Sequence, residues 1–392
     1  MSAPQLLTYR DAVDQAMAYV GHGIGSAAQA DIYRAIHGAL RELCDAHPWS
    51  FLFKHHRIYR YAPETTGTIT YDHTGGTYER ELTLSGATWP SWAEDAVVRI
   101  DGLIHHVEAR KSSTVVTLDV NLNPGADVDA GTSFSIWPAY HALPHDFIAM
   151  SEPWDESLWR FGTPVDYSQF LSLQRYESHT GDVRHYCIRG IDDLYGAQGL
   201  YLHPPTDSDE TIDFIYRRAP RQLRYSGMDS SVDTAGTITV TAASTAVTGA
   251  STAFDDAMIG SVLRIGRSAS NVPTGLDGLY PFAEERVIVD VTSATVATLD
   301  ANVATTRSGV KYCVSDPIDI DRAAYNAFMR CVEKHLAIGR NMKHKGDALA
   351  LYEEALRKAK GTDNRVRQRQ VAGEVTRYPS RIYDTPIGTD VP

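Results

Sequence analysis

The sequence predicts an α+β fold: a split α-helical bundle made by the N- and C-terminal helices, two related antiparallel β modules inserted in it, and an extended C-terminal tail. Three observations predict it. Helical apolar periodicity flanks the chain at both ends, the middle is written in short alternating runs rich in Thr, Val, Tyr and Ile, and part of that middle is written twice. The first copy starts at Gly67-Thr68-Ile69-Thr70 and the second at Gly236-Thr237-Ile238-Thr239. Each then passes a Gly-Ala pair (Gly86-Ala87, Gly249-Ala250) and an Arg-Ile strand end (Val98-Arg99-Ile100, Leu263-Arg264-Ile265). A Thr-Val-x-Thr-Leu-Asp strand starting at Thr114 or Thr295 and a Gly-led strand, 131–136 or 309–314, complete each copy. Two copies are too few for a solenoid, so the pattern reads as a helical frame carrying two β modules.

Thr8 is the candidate N-cap of a first helix over 9–20, with Asp11 in its first turn and Val13, Met17 and Val20 at helical spacing. Gly21-His22-Gly23-Ile24-Gly25 ends it. Ser26 and Gln29 make a capping-box pattern for a second helix of about five turns, striped by Ile32, Ile36, Leu40 and Leu43. His47-Pro48-Trp49 closes it, because a residue before proline is pushed out of helical geometry. Residues 1–50 and 317–361 form the bundle, 51–140 the first β module, 141–229 a middle β and irregular region, and 230–316 the second module. In the middle region, strands at 199–203 and 211–216 flank a turn at Pro204-Pro205 and the acidic run 207–210. Asp319 or Asp321 caps a helix with Tyr325, Phe328, Val332 and Leu336 on one face. A final helix over 347–360 turns Leu349, Tyr352 and Leu356 inward and stops at Gly361, leaving 362–392 as an extended arm.

Composition narrows the function classes. The chain has 392 residues, 43% of them hydrophobic, enough for a sizeable core. No apolar run reaches the roughly 18 to 20 residues that cross a bilayer, and Met1-Ser2-Ala3-Pro4-Gln5 does not begin a secretory signal, so neither membrane insertion nor export is expected. Cys44, Cys187, Cys313 and Cys331 lack zinc spacing and read as buried, reduced thiols. The net charge of -12 is uneven: residues 1–320 carry 23 basic against 40 acidic side chains, residues 321–392 carry 14 against 9. An acidic body with a basic end is no general nucleic-acid binder, and it would let DNA pass without sticking.

Catalytic and metal signatures are absent from the sequence. There is no phosphate loop, His-Glu-x-x-His or Gly-x-Ser-x-Gly motif. His55-His56 and His105-His106 fall on opposite faces of their strands, and Pro144 separates His141 from His145. Asp192-Asp193 and Asp255-Asp256 read as solvated turns. We therefore expect no enzyme, no metal and no cofactor. Trp49, Phe51, Phe53, Tyr59 and Tyr61 read as alternating core residues where helix meets sheet. Trp89 and Trp92 sit at a turn of the first module; exposed there, they would serve protein contact or sugar stacking. The tail carries Arg365, Arg367, Arg369, Arg377, Tyr378, Arg381 and Tyr383, a composition suited to docking into another chain.

The order of His47-Pro48-Trp49-Ser50-Phe51, Leu143-Pro144-His145-Asp146-Phe147, Leu200-Tyr201-Leu202-His203-Pro204-Pro205 and Ala219-Pro220-Arg221-Gln222-Leu223, with a C-terminal helix pair and an arginine tail, resembles the head-to-tail adaptors of tailed bacteriophages. The resemblance implies a virion structural protein at the head–tail interface, assembled in the host cytoplasm. In such adaptors about twelve copies form a closed ring. It implies a portal protein bound through the C-terminal arm and helices, a tail nozzle, hub or fibre protein as second partner, and double-stranded DNA passing through without specific binding. The second β module departs from the family pattern and reads as an outward module for tail or fibre contact. The alternative is a carbohydrate-binding or cell-surface recognition protein that uses the β modules.

Overall fold

A computed structural model describes residues 7–21, 26–73, 79–150, 162–191, 197–275 and 278–375, with the backbone alone at 26–28 and 366–375. The fold is mixed α+β, and nearly all strand pairing in it is antiparallel. Two compact units divide it, one made of Met1–Leu52 with Pro220–Pro392 and the other of Phe53–Ala219.

The chain opens with α1 (Tyr9–Val20) and α2 (Ser26–Asp45). Thr8 caps α1 in a full capping box, its hydroxyl accepting from the Asp11 amide while the Asp11 carboxylate accepts from the Thr8 amide at 3.0 Å. Such a cap stabilises by about 1 kcal/mol. The α2 stripe of Ile32, Ile36, Leu40 and Leu43 is buried, as its spacing requires.

In the second unit, β1 (Phe53–Arg60) is followed by β2 (Thr68–Asp72), β3 (Glu81–Ser85), β4 (Ala96–Ile100), β5 (Leu103–Arg110), β6 (Val115–Leu118), β7 (Val128–Thr132) and β8 (Phe134–Pro138). Strands β2 to β8 form one sheet in the order β7-β2-β3-β6-β5-β4-β8. Only Ser133 separates the two outer strands, so the sheet curls until its ends are successive stretches of chain. The unit continues through β9 (His141–Ala142), β10 (Phe147–Met150), β11 (Thr163–Pro164), α3 (Tyr167–Tyr176), β12 (His185–Gly190), β13 (Gln198–His203) and β14 (Glu210–Arg218).

Sheets β1-β14-β10 and β11-β12-β13-β9 share an apolar core of Ile58, Leu143, Phe147, Leu200, Ile212 and Phe214. Strand β1 therefore lies outside the first module, where the sequence reading had it. It pairs along its whole length with β14, from Phe53 opposite Arg217 to Arg60 opposite Glu210. That last pair spans 150 residues of sequence, and pairing at such a separation leaves no local pattern.

The first unit resumes with β15 (Thr237–Val240), β16 (Ala246–Ala250), β17 (Val262–Ile265), β18 (Glu284–Ser293), β19 (Val296–Leu299), β20 (Arg307–Val310) and β21 (Tyr312–Ser315). Their order is β20-β15-β16-β19-β18-β17-β21, the same topology as the first module, with Lys311 alone between the outer strands. The repeat is structural down to single residues. Gly67 and Gly236 both have positive φ, and a Cβ on either would come within 2.5 Å of the Ser85 carbonyl oxygen or 2.1 Å of the Ala250 carbonyl oxygen. Only glycine avoids both the strain and the collision. Val98 and Ile100 are buried in one module core and Leu263 and Ile265 in the other.

Between those core residues the landmark arginines point out of each module. Arg99 donates to the carbonyls of Gln174 and Glu177 at the C-terminal end of α3 (3.1 and 3.2 Å), where a cation meets the negative end of the helix dipole. Arg264 is fully buried. It donates from Nη1 and Nη2 to both Asp11 oxygens (2.8 and 2.7 Å) and from Nε to Glu285 (3.3 Å), with the Phe282 ring 4.8 Å from its guanidinium carbon. The modules differ in the connection beside that arginine. In the first it is the two-residue turn Asp101-Gly102, both residues at positive φ, as hairpin twist demands. In the second it is the stretch 266–283, which delivers Phe282 onto Arg264.

The second module packs directly against helix α1. The Tyr9 amide donates to the Asp316 carbonyl (2.8 Å), and the Arg10 amide donates to Ser315 Oγ (2.9 Å). The module and helix α1 belong to one unit. That unit closes with α4 (Arg322–Gly339), capped by Asp321 through the Ala323 amide, and α5 (Lys345–Val375). All four terminal helices contribute to one apolar core, with Val13, Ile36, Phe328, Val332 and Tyr352 among its members.

Helix α5 does not stop at Gly361. It runs fourteen residues further, so 362–375 is helical rather than an extended arm. A mid-helix glycine costs only about 1 kcal/mol, which contacts further along the helix can outweigh. Replacing Arg264 with alanine strands the Asp11 and Glu285 carboxylates, and is expected to destabilise the first unit by about 3–5 kcal/mol in urea unfolding. Arg99→Ala, which removes bonds to neutral carbonyls from a half-buried position, should cost about 1–3 kcal/mol in the second.

Candidate interaction surface

Helix α5 offers the clearest separation between a packed face and a displayed one. Its buried positions are Ala348, Tyr352, Ala355, Ala359 and Asp363, a stripe in which three alanines bring α5 close against α4. Glu353, Glu354, Arg357, Lys358 and Arg365 are exposed on the other side. Glu354 and Lys358 form an ion pair at 2.6 Å, four residues apart. Pairs of this kind contribute about 0.3–0.5 kcal/mol, so the face is solvated rather than locked.

Two polar knots fix the helix. In the first, Lys334 donates to both oxygens of Glu42, His335 Nε2 lies 2.9 Å from the same carboxylate, and the Lys334 ammonium sits 4.4 Å from the centre of the Tyr352 ring. Burial opposes the charge on Glu42, but the hydrogen bonds from Lys334 and His335 outweigh it and hold its pKa below the usual value. Cys331 completes a Glu42–Cys331–His335 group with cation-ligand spacing. The group does not suit a metal: burial pushes the Cys331 thiol up to about 12, and the ammonium of Lys334 already neutralises the carboxylate.

In the second knot, Asp363 accepts from the Ser50 amide (3.0 Å) and the Ser50 hydroxyl (2.5 Å), and its other oxygen lies 3.1 Å from His47 Nε2. The turn His47-Pro48-Trp49-Ser50 that ends α2 is thereby tied to α5 two residues past Gly361. This contact explains why the helix outruns its glycine. The signal in sequence was a single acid between Gly361 and Arg365, and nothing local linked it to Ser50.

Of the expected docking residues, Arg365 is exposed on α5, and Arg367 and Arg369 lie on its last turns, where only the backbone is described. Arg377, Tyr378, Arg381 and Tyr383 lie outside the described residues, as does Asp192-Asp193. The other singled-out groups have structural roles. Asp255 caps a short 3-10 turn through the Ala257 amide and accepts from the Tyr225 hydroxyl. His56 packs edge-on against Phe214 and Tyr216, while His55 is on the opposite face of β1 near Asp213. Trp49 is buried and donates to the Leu43 carbonyl (2.6 Å). All four cysteines are free and buried.

Trp89 is 2% exposed and meets Phe134 edge-on at 5.2 Å; Phe254 meets Tyr312 at 5.5 Å in the second module. Trp89 is therefore a core residue, the counterpart of Phe254, and is not exposed at its turn. Among the comparisons with known proteins, no family model matches this sequence and no curated protein matches it.

Asp363→Ala removes the acceptor for three donors and is expected to cost about 1–3 kcal/mol, read as a lower melting temperature with loss of helical signal. Glu42 gives an acid limit. Because its folded pKa lies below the unfolded one, its contribution is complete above about pH 4.5 and is lost as pH falls through the folded value. Acid unfolding of the wild type should therefore show a loss of stability below that pH which Glu42→Gln flattens, with the mutant less stable at neutral pH.

Proposed function

We propose that this protein is a virion structural protein: a head-to-tail adaptor whose copies form a closed ring between portal and tail, docked through the C-terminal arm and the helices. On this reading α1, α2, α4 and α5 are a split bundle and the part of the chain that lines up with neighbouring copies. The observation that carries it is the build of the helical end. Helices from both the N-terminal and the C-terminal part of the sequence contribute to one apolar core, and α5 runs on past Gly361, with Arg365 exposed, toward the arginine- and tyrosine-bearing end of the sequence.

Arginine suits such a contact because its planar fork pairs bidentately with carboxylates, and interleaved tyrosines add buried area. The acidic remainder of the chain favours passage of DNA over binding to it. A ring needs each copy to meet two neighbours through unlike surfaces, and the rotation between copies then closes the assembly.

The test is light scattering after size exclusion, with and without a portal protein. The full chain is expected as a monomer alone and as a ring on portal. A truncation after Arg365, which spares the Asp363 contacts, should stay folded and lose portal binding. A stable dimer indifferent to portal, or full portal binding by the truncated chain, would overturn the reading.

A further inference from the structure

A cleft of about 310 Å³ in the second unit opens between the end of β1 and the β8–β9 connection. Its wall is aromatic. Tyr61 stacks on Trp92 with ring centroids 5.6 Å apart and 18° between the planes, and Tyr59 and Tyr140 also line the space. Tyr59 is 58% exposed and Tyr61 39%, although both rings would bury well in a core. Trp92 rests on the core of the first module, so the Tyr61 ring is backed by a rigid layer.

The polar groups limit what such a wall could hold. Arg57 is committed to Asp213 in a two-pronged pair (2.6 and 2.8 Å), so it offers little to an anion. His141 and His56 are kept neutral near pH 7 by burial, His141 with its pKa lowered to about 4, which leaves two imidazoles able to donate and accept. Asp95 is exposed at the rim, and its carboxylate has no ion-pair partner among the described residues. An anionic ligand would meet repulsion from Asp95 with no free cation among the described residues that line the cleft to offset it. A purely apolar one would strip water from Asp95 and the imidazoles without replacing their hydrogen bonds. A quaternary ammonium prefers rings set around it as a box, whereas Tyr61 and Trp92 are nearly parallel and form a platform.

The geometry points to a binding site for a neutral saccharide, its C–H face laid on Tyr61 and its hydroxyls bonded to Asp95 and His141. The site does not depend on the adaptor reading or on the buried Trp89. A ring backed by Trp92 costs little entropy to hold in place, and flat aromatic surface with a few polar groups at its edge is what a sugar face presents in complement.

The labelled full chain should be screened on a glycan array, and then titrated with maltotetraose, cellotetraose and N,N′-diacetylchitobiose while tryptophan fluorescence and ligand-observed NMR are followed. At least one neutral glycan is expected to bind in the millimolar range and to perturb tryptophan emission. Tyr61→Ala should weaken that binding at least tenfold with an unchanged circular dichroism spectrum, and Asp95→Asn should weaken it severalfold. Should Tyr61→Ala unfold, Tyr59→Ala, at a more exposed position, serves in its place. Absence of any neutral glycan above background, binding untouched by these variants, or a response to tetramethylammonium in place of saccharide would each overturn the assignment.

Discussion

The first unit depends on the burial of one guanidinium. Placing Arg264 beyond the reach of water costs several kcal/mol unless its charge and donors are matched, and Asp11 and Glu285 match them from two directions. Asp11 does so while also completing the capping box on Thr8. One carboxylate therefore fixes where α1 begins and where the second module sits against it. A buried pair of this kind adds little net stability of its own, but parting Arg264 from Asp11 would leave a buried charge unpaired. Burial alone would lower the affinity of Arg264 for its proton, but the two acids outweigh it and keep it charged.

The same landmark arginine in the first module meets helix carbonyls instead of an acid. The two modules share topology, core positions and the outward direction of this side chain, yet each uses it on a different helix. The difference lies in the connection after the arginine. A two-residue turn leaves Arg99 half-buried, while the longer connection in the second module covers Arg264 with Phe282. The second module is thus joined to α1 within one unit through a buried charge.

How much of this was legible follows from the range of each interaction. The Thr8 cap, the α2 stripe and the doubled landmarks are local patterns, and each stands where its spacing placed it. The pairing of β1 with β14 is non-local and could not be read from Phe53 to Arg60 alone. Gly361 was a fair stop signal that lost to a contact from Asp363 to Ser50 across 313 residues of chain. Trp89 was ambiguous because a tryptophan near a turn can face either way. Its equivalence to Phe254 was the available clue, and it becomes decisive only once both rings are seen on the same partner position. The Tyr61–Trp92 platform combines the end of one strand with a turn of another module, and no spacing rule connects them.

The curled sheets have a further consequence for how one molecule can meet another. An ordinary antiparallel sheet leaves two rows of unpaired amides and carbonyls that can recruit the same strand from a neighbouring molecule. Here the outer strands of each module are four or five residues long and run directly into one another, through Ser133 in one case and Lys311 in the other. Each ladder ends where the next begins, which leaves little template for strand exchange between molecules. High local concentration would then favour contacts made by helices and loops over fibrous association of the sheets.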